Sequence, residues 1–441
     1  MSATNDQLPQ LGANTITEVI AAMTPEEKVN FLIGTGMDFP GLPPKLQAPV
    51  VGSTNKGKVP GAAGNTCAIP RLGIPSIVMA DGPAGVRINS HRENEAQTFF
   101  CTAFPIATLL ASSWDVDLVE SVGKAMGVEA KEYGVDILLA PALNIHRIPL
   151  GGRNFEYYSE DPWVSGKIAA AMTNGIQSQG VGTSVKHLVA NNHEWNRNVI
   201  NVKIDQRALR EIYLKGFEIA IKESCPWTVM TSYNKVNGTY TSESAELLST
   251  ILREEWGYEG FVVTDWLAGR DPVAQLNAGN DLLMPGSIYQ QEILLAAIRS
   301  GELEASICDR NIENILNIIL QSPTFLGYQY SNAPDLKTDA AIARSAASQG
   351  MVLLRNQLET LPVSEKACFG VFGVTSYEMI TGGTGSGNVN RAYTISLLEG
   401  LKSAGFSCSE TIESRYNNFI DAQKLKRVEV TEAFMPHQAL P

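Results

Sequence analysis

The chain has 441 residues, 44% hydrophobic and 18% charged, with a formal charge of -12. This is the balance of an ordinary soluble globular protein, with length for a large core and roughly two or three domains, although one α/β barrel can absorb more than half of it. The acidic balance argues against a nucleic-acid partner or an anionic membrane surface, because phosphate attraction needs clustered Lys and Arg, and no apolar run reaches the length of a membrane span. The six cysteines, Cys67, Cys101, Cys225, Cys308, Cys368 and Cys408, form no CxxC pair and read as buried free thiols. The five histidines form no HExxH or similar ligand set. Met1–Leu11 lacks a basic region followed by an apolar run. That favours a cytoplasmic location, although a secreted or periplasmic chain whose signal had been removed would read the same.

From the N-terminus, Ile16–Met23 reads as a short helix, and Thr24-Pro25-Glu26-Glu27 as the capping-box start of another. Gly36–Pro70 is rich in Gly, Pro, Asn and Thr and reads as a long irregular surface segment, either functional or a simple wrap over a barrel bottom. A rhythm of strands follows. Ile74–Ala80 ends at Asp81, Ile137–Pro141 ends near Asn144, and Thr183–Val185 leads into Lys186-His187. Thr228–Thr231 leads to Tyr233, Phe261–Thr264 to Asp265, and Leu282–Met284 is a short last run. Each run is near-continuously apolar, as expected of parallel strands covered on both faces.

Helices fill the gaps, beginning at Asp115, at Asp161-Pro162 and at Asp205, then over Glu243–Trp256, Tyr289–Arg299 and Ser306–Gln321. Strand and helix in alternation predict an α/β fold, a (β/α)8-type barrel over residues 1–325, with one or two further strands hidden in the early irregular region. Residues 326–340 read as a polar linker. Residues 341–441 read as the start of a second α/β sandwich domain, with a small-residue helix to Met351, the short apolar run Val352–Asn356, and a strand opening at Cys368–Gly373. Arg427–Pro441 carries no clear element.

Ligands bind at the carboxyl ends of parallel strands, so Asp81, the loop after Asn144, Lys186-His187, Tyr233 and Asp265 share one rim. Singly, each has an ordinary reading: Asp81-Gly82-Pro83 as a turn, His187 as a hydrogen-bonded core histidine, Lys186 as a snorkelling side chain. Together they do not, because consecutive strands ending in polar groups on one side call for a ligand. An unpaired carboxylate is costly to bury, so Asp265 at the mouth of a core strand needs a reason. In GGRNFEYYSEDP (Gly151–Pro162), Arg153 is either a donor to an oxygen-rich ligand or a partner held by Glu156 and Glu160. KHLVANNHEWNR (Lys186–Arg197) mixes donors and acceptors too densely for a solvated loop. Gly382–Gly387 resembles a phosphate cradle, but without an acidic ribose partner downstream it reads better as a flexible loop. Hydroxyls would take donors and acceptors from Asp81, Arg153, Lys186 and His187, and Trp266 suits the apolar face of a sugar. Beside Lys186 and Arg153, the pKa of Asp265 is expected to be held down, which suits a nucleophile.

Five motifs in order, MADGPAGVR (Met79–Arg87), LNIHRIPLGGRNFEYYSEDP (Leu143–Pro162), KHLVANNHEWNR, MTSYNKVNG (Met230–Gly238) and VVTDW (Val262–Trp266), resemble those of glycoside hydrolase family 3, the β-glucosidase-like enzymes. LLRNQLETLPV (Leu353–Val363) and GGTGSGNVN (Gly382–Asn390) extend the likeness into the second domain. The resemblance implies a retaining β-glycosidase in which Asp265 is the nucleophile. It implies that Asp81, Arg153, Lys186, His187 and Tyr233 bind the ring whose bond is broken, with Trp266 nearby, and that no metal or other cofactor is needed. The implied substrate is a small oligosaccharide or an aryl or alkyl β-glycoside.

Lys186-His187 is followed by LVANNHE, unlike the KHFPGHG loop of the N-acetylglucosaminidase branch, which points to β-glucosidases and leaves β-xylosidase specificity open. A retaining glycosidase needs a second carboxyl about 5–5.5 Å from the first. In the β-glucosidase branch that Glu lies well after the glycine-rich loop, and no Glu of this chain sits in a matching motif. The resemblance therefore implies the nucleophile-bearing part of a longer enzyme, completed by a complementary C-terminal chain or segment. The alternative is an inactive glycan-binding chain.

Overall fold

A computed structural model describes residues 8–35, 58–92 and 95–424. The first part of Met1–Leu11, most of the irregular segment expected over Gly36–Pro70, and Arg427–Pro441 lie outside the described residues. In chain order the strands are β1 (Gly64–Asn65), β2 (Val78–Asp81), β3 (Ile137–Leu139), β4 (Gly182–Leu188), β5 (Asn201–Val202), β6 (Thr228–Thr231), β7 (Lys235–Val236), β8 (Thr239–Tyr240), β9 (Phe261–Val263), β10 (Cys368–Phe369) and β11 (Ser407–Cys408). The main sheet runs β1-β2-β3-β4-β6-β9, parallel throughout except for β1 against β2. It curls into an incomplete barrel. Single bridges from Val263 to Leu282, Leu283 to Ile33 and Thr35 to Asn65 span the remaining gap, so Leu282–Met284 takes part as a bridge segment and not as a regular strand.

Alternation along the strands splits the core into two layers. Val78, Ala80, Leu138, Val229 and Val262 enter one apolar cluster, while Met79, Ile137, Leu139, Met230, Phe261 and Val263 enter the other. The first layer meets crossover helices whose starts follow from sequence. Asp115 accepts from the Leu118 amide, Asp161 from those of Trp163 and Val164 ahead of Pro162, and Asp205 from that of Ala208. The helices Val116–Glu132 and Pro162–Gln177 cross where glycine allows it: a Cβ on Gly175 would stand 2.3 Å from the Glu120 carbonyl. Thr24 forms the expected capping box with Glu27.

The described residues divide by packing into two compact units, one running to Val352 and including Gly382–Ala392, the other made of Leu353–Thr381 and the residues from Tyr393 onward. In the first unit, the helix Leu336–Gly350 buries Ala346 against the barrel side, and Asp339 there bonds the buried Glu129. The glycine-rich stretch, expected as a flexible loop, also packs here: Gly383 and Gly387 lie against the Phe155 ring, and Asn390 bonds the Phe99 carbonyl while accepting from the Cys101 amide. In the second unit, β10 pairs in parallel with β11; the run Val352–Asn356, where the division falls, forms no strand. The cysteines correct one expectation, since Cys101 and Cys308 are buried but Cys225 and Cys368 are exposed, and all six are free.

Candidate active site

The carboxyl ends of β2, β4, β6 and β9 carry the predicted residues to one rim. β2 ends in Asp81, 5% exposed, whose Oδ1 lies 3.7 Å from Lys186 Nζ and whose Oδ2 lies 3.3 Å from Arg87 Nη1. The turn after Asp81 folds back through Gly85 at φ 132°, so that the Arg87 amide donates to the Asp81 carbonyl at 2.9 Å. A strand normally sends consecutive side chains to opposite faces. In β4 the register against β6 shifts between Lys186 and Leu188, and this irregularity lets both Lys186 and His187 reach the site. Tyr233 follows β6 and is held from both sides, Ser232 Oγ and Asn234 Nδ2 each donating to the Val189 carbonyl at 2.9 and 3.2 Å. Asp265 follows β9, where Thr264 Oγ1 accepts from the Met284 amide at 2.7 Å and donates to the Met284 carbonyl at 3.1 Å.

Arg153 lies on the turn before Tyr157. Its Nε pairs with Glu156 and its Nη2 stands 2.8 Å from His187 Nε2. Of the two expected partners only Glu156 holds it; Glu160 is exposed. His187 Nε2 is 3.6 Å from Asp265 Oδ2. Burial and the positive charges of Arg153, Lys186 and Arg197 hold the imidazole well below its ordinary pKa, so the ring is neutral. Trp266 is only 4% exposed, its indole Nε1 donating to the Ala63 carbonyl at 3.1 Å.

Asp265 departs from expectation in one respect. Arg153, Arg197 and Lys186 pull its pKa down, but burial pushes it up by more, and the net direction is upward. Loss of water around a carboxylate outweighs three cations that do not touch it. Its Oδ1 accepts from the Trp266 amide at 2.7 Å, whereas Oδ2 is buried with no close hydrogen-bond partner among the described residues, although the Tyr233 hydroxyl interacts with the same carboxyl.

Two arginines join the site that sequence reasoning did not single out. Arg197 lies 4.3 Å over the Tyr233 ring and pairs with Glu194 at 2.7 Å. Against the effect of burial, Tyr233, Asp265 and Glu194 hold its charge. The density of KHLVANNHEWNR was the available signal, but nine residues, all but Leu188 outside β4, separate Arg197 from His187, and spacing alone does not bring it back. Arg87 was in plain view within MADGPAGVR, and only the fold-back at Gly85 pairs it with Asp81.

Residues 66–318 match the family model described as the glycosyl hydrolase family 3 N terminal domain. The chain belongs to glycoside hydrolase family 3. It is 43% identical over 347 residues to the thermostable β-glucosidase B of Acetivibrio thermocellus, covering 77% of this chain and 45% of that protein. It is 39% identical over 394 residues to a β-glucosidase of Rhizobium radiobacter, covering 88% of this chain and 44% of that one. The structure of β-glucosidase 3B from Thermotoga neapolitana in complex with glucose superposes with a TM-score of 0.89 at 48% identity, over 97% of this chain and 60% of that one. The chain thus spans about half the length of these family 3 relatives, and the barrel rim described above falls inside the matched domain.

Proposed function

We propose that this chain carries the nucleophile half of a retaining, exo-acting β-glycosidase of the β-glucosidase type, acting on small oligosaccharides or aryl and alkyl β-glycosides. The observation that carries the reading is Asp265 Oδ2, a buried carboxylate oxygen with no close hydrogen-bond partner among the described residues, set among Arg153, Lys186 and Arg197. Such an oxygen is costly to keep unless something binds there. With Oδ1 occupied by the Trp266 amide, Oδ2 is the attacking atom. It bonds to the anomeric carbon as the bond to the aglycone oxygen breaks and that oxygen takes a proton from an acid. Water then attacks the same carbon and frees Asp265, with retained configuration. Asp81, backed by Lys186 and Arg87, accepts from sugar hydroxyls, Arg153 and Arg197 donate to them, and Tyr233 and Trp266 line the ring.

The acid that protonates the aglycone comes, on this reading, from a complementary C-terminal chain or segment. Asp81 already pairs with Lys186 and Arg87, Glu156 with Arg153 and Glu194 with Arg197, so each of these carboxylates is engaged by a cation of the site. The first unit is then the catalytic barrel domain and the second the opening of the α/β sandwich domain.

Covalent trapping tests this. A 2-deoxy-2-fluoro-β-glucoside with a good leaving group is expected to add one glycosyl mass, mapped to Asp265, at a rate that climbs with pH through a pKa above that of an ordinary aspartate. Labelling elsewhere, or none, removes the assignment. An unactivated disaccharide is expected to turn over only when a C-terminal fragment is supplied, and the matched xyloside separates the two specificities.

A further inference from the structure

Asn144 follows β3 and is 2% exposed. Its Nδ2 donates to the His187 carbonyl at 2.8 Å and its Oδ1 accepts from the His187 amide at 2.9 Å. Turning the amide over would set NH2 against N–H and oxygen against oxygen, so only this orientation satisfies both groups. The same Oδ1 lies 3.2 Å from His187 Nδ1. An oxygen that can only accept calls for a proton on Nδ1. At the far edge of the ring, Arg153 Nη2 lies 2.8 Å from Nε2, and a guanidinium that can only donate calls for a lone pair there. The Tyr157 hydroxyl is compatible: it donates to the Asn191 carbonyl at 3.2 Å, leaving its oxygen 3.5 Å from Nδ1 as a second acceptor. The charged groups around the ring are Arg153, Lys186 and Arg197 on one side of the balance, and Asp265 with the Arg153-bound Glu156 on the other.

We propose that Asn144 is a positioning residue that locks His187 as its neutral Nδ1–H tautomer, so that Nε2 is a fixed acceptor for Arg153 and not a proton donor to Asp265. Two consequences follow for the chemistry. Arg153 is clamped at Nε by Glu156 and at Nη2 by His187, which leaves Nη1 and the second N–H of Nη2 as the donors offered to sugar hydroxyls. Asp265 Oδ2 receives no proton from His187 despite its 3.6 Å approach, so the histidine does not protonate the nucleophile. The functional consequence rests on the glycosidase reading above; the tautomer itself does not.

The test is long-range 1H–15N correlation on the full chain with 15N-labelled histidine, where ring-nitrogen shifts separate the tautomers of the five histidines and His187→Gln identifies the signal. His187 is expected to be protonated on Nδ1 alone and to hold that pattern from about pH 5 to 8, where ordinary histidines titrate. Asn144→Ala is expected to give a mixture of tautomers. Asn144→Asp, which adds a negative charge beside Nδ1, is expected to bring His187 protonation into that pH window. Both should slow covalent labelling of Asp265 roughly hundredfold through a misplaced Arg153. An Nε2–H tautomer in the unsubstituted chain, a His187 titrating there like a free histidine, or an unchanged pattern in Asn144→Ala overturns the proposal. Should the variants not fold, the spectrum of the unsubstituted chain decides alone. The stated tautomer without labelling at Asp265 would retain this inference and remove the glycosidase reading.

Discussion

The two units of this chain make opposite use of similar apolar residues. In the barrel unit, Phe261, Ile137 and Leu316 are fully buried, and two continuous clusters cover both faces of the sheet. In the second unit the buried apolar side chains among the described residues are Val371, Leu398 and Ile420, while Leu354 is 91% exposed, Leu358 99% and Ile380 74%. Hydrophobicity supplies the drive to bury, but burial needs an opposing surface, and a parallel pair of two-residue strands offers little of one. Chemistry follows packing: all the rim residues lie in the unit that can desolvate them.

The sharpest way to break that contrast is through the nucleophile. Asp265→Asn is expected to reduce covalent labelling by at least roughly 10⁴-fold, measured by intact mass, while Glu410→Gln and Glu413→Gln in the second unit leave it unchanged. Packing gives the next largest difference. Phe261→Ala should cost about 3–5 kcal/mol in the barrel's denaturant transition, and Leu354→Ala no more than about 0.5 kcal/mol. An equal cost at both would mean that Leu354 is buried in solution.

A third effect probes the barrel unit's side. Glu129 is fully buried, its pKa pushed up to about 8 chiefly by burial, and its partner Asp339 is raised to about 6, also chiefly by burial. With both folded values above the unfolded ones, the native state holds the extra proton. The stabilisation is therefore complete below the ordinary carboxylate range and is lost as pH rises through about 6 to about 8. Glu129→Gln is expected to flatten this fall in thermal midpoint, a difference of on the order of a few kcal/mol across the window. Smallest is Gly387→Ala, whose new Cβ would stand 2.7 Å from the Phe155 ring beside the Arg153–Glu156 turn. It should cost about 1–2 kcal/mol and slow labelling measurably, which a free loop would not do.

Much of the fold was legible in the chain. The apolar runs before Asp81, Lys186, Tyr233 and Asp265 are real strands, because a both-faces-buried parallel strand writes itself as a continuous apolar segment. Their ends fell on one rim because parallel strands all point the same way. The glycine-rich stretch misled: Gly383 and Gly387 serve close contact with Phe155, and a glycine chosen for proximity looks the same in sequence as one chosen for flexibility.

The sequence by itself determined the order of strands and crossovers, the helix starts at Asp115, Asp161 and Asp205, and the set of polar strand ends, since all of these depend on neighbours a few residues away. The tertiary structure decided the rest. It brought Arg197 over Tyr233 and Arg87 back to Asp81, matched Asn144 to His187 across 43 positions, and turned the Asp265 pKa upward where local charge alone pointed down. Each of these depends on desolvation or on contact between residues distant in the chain, and neither quantity exists until the chain has folded.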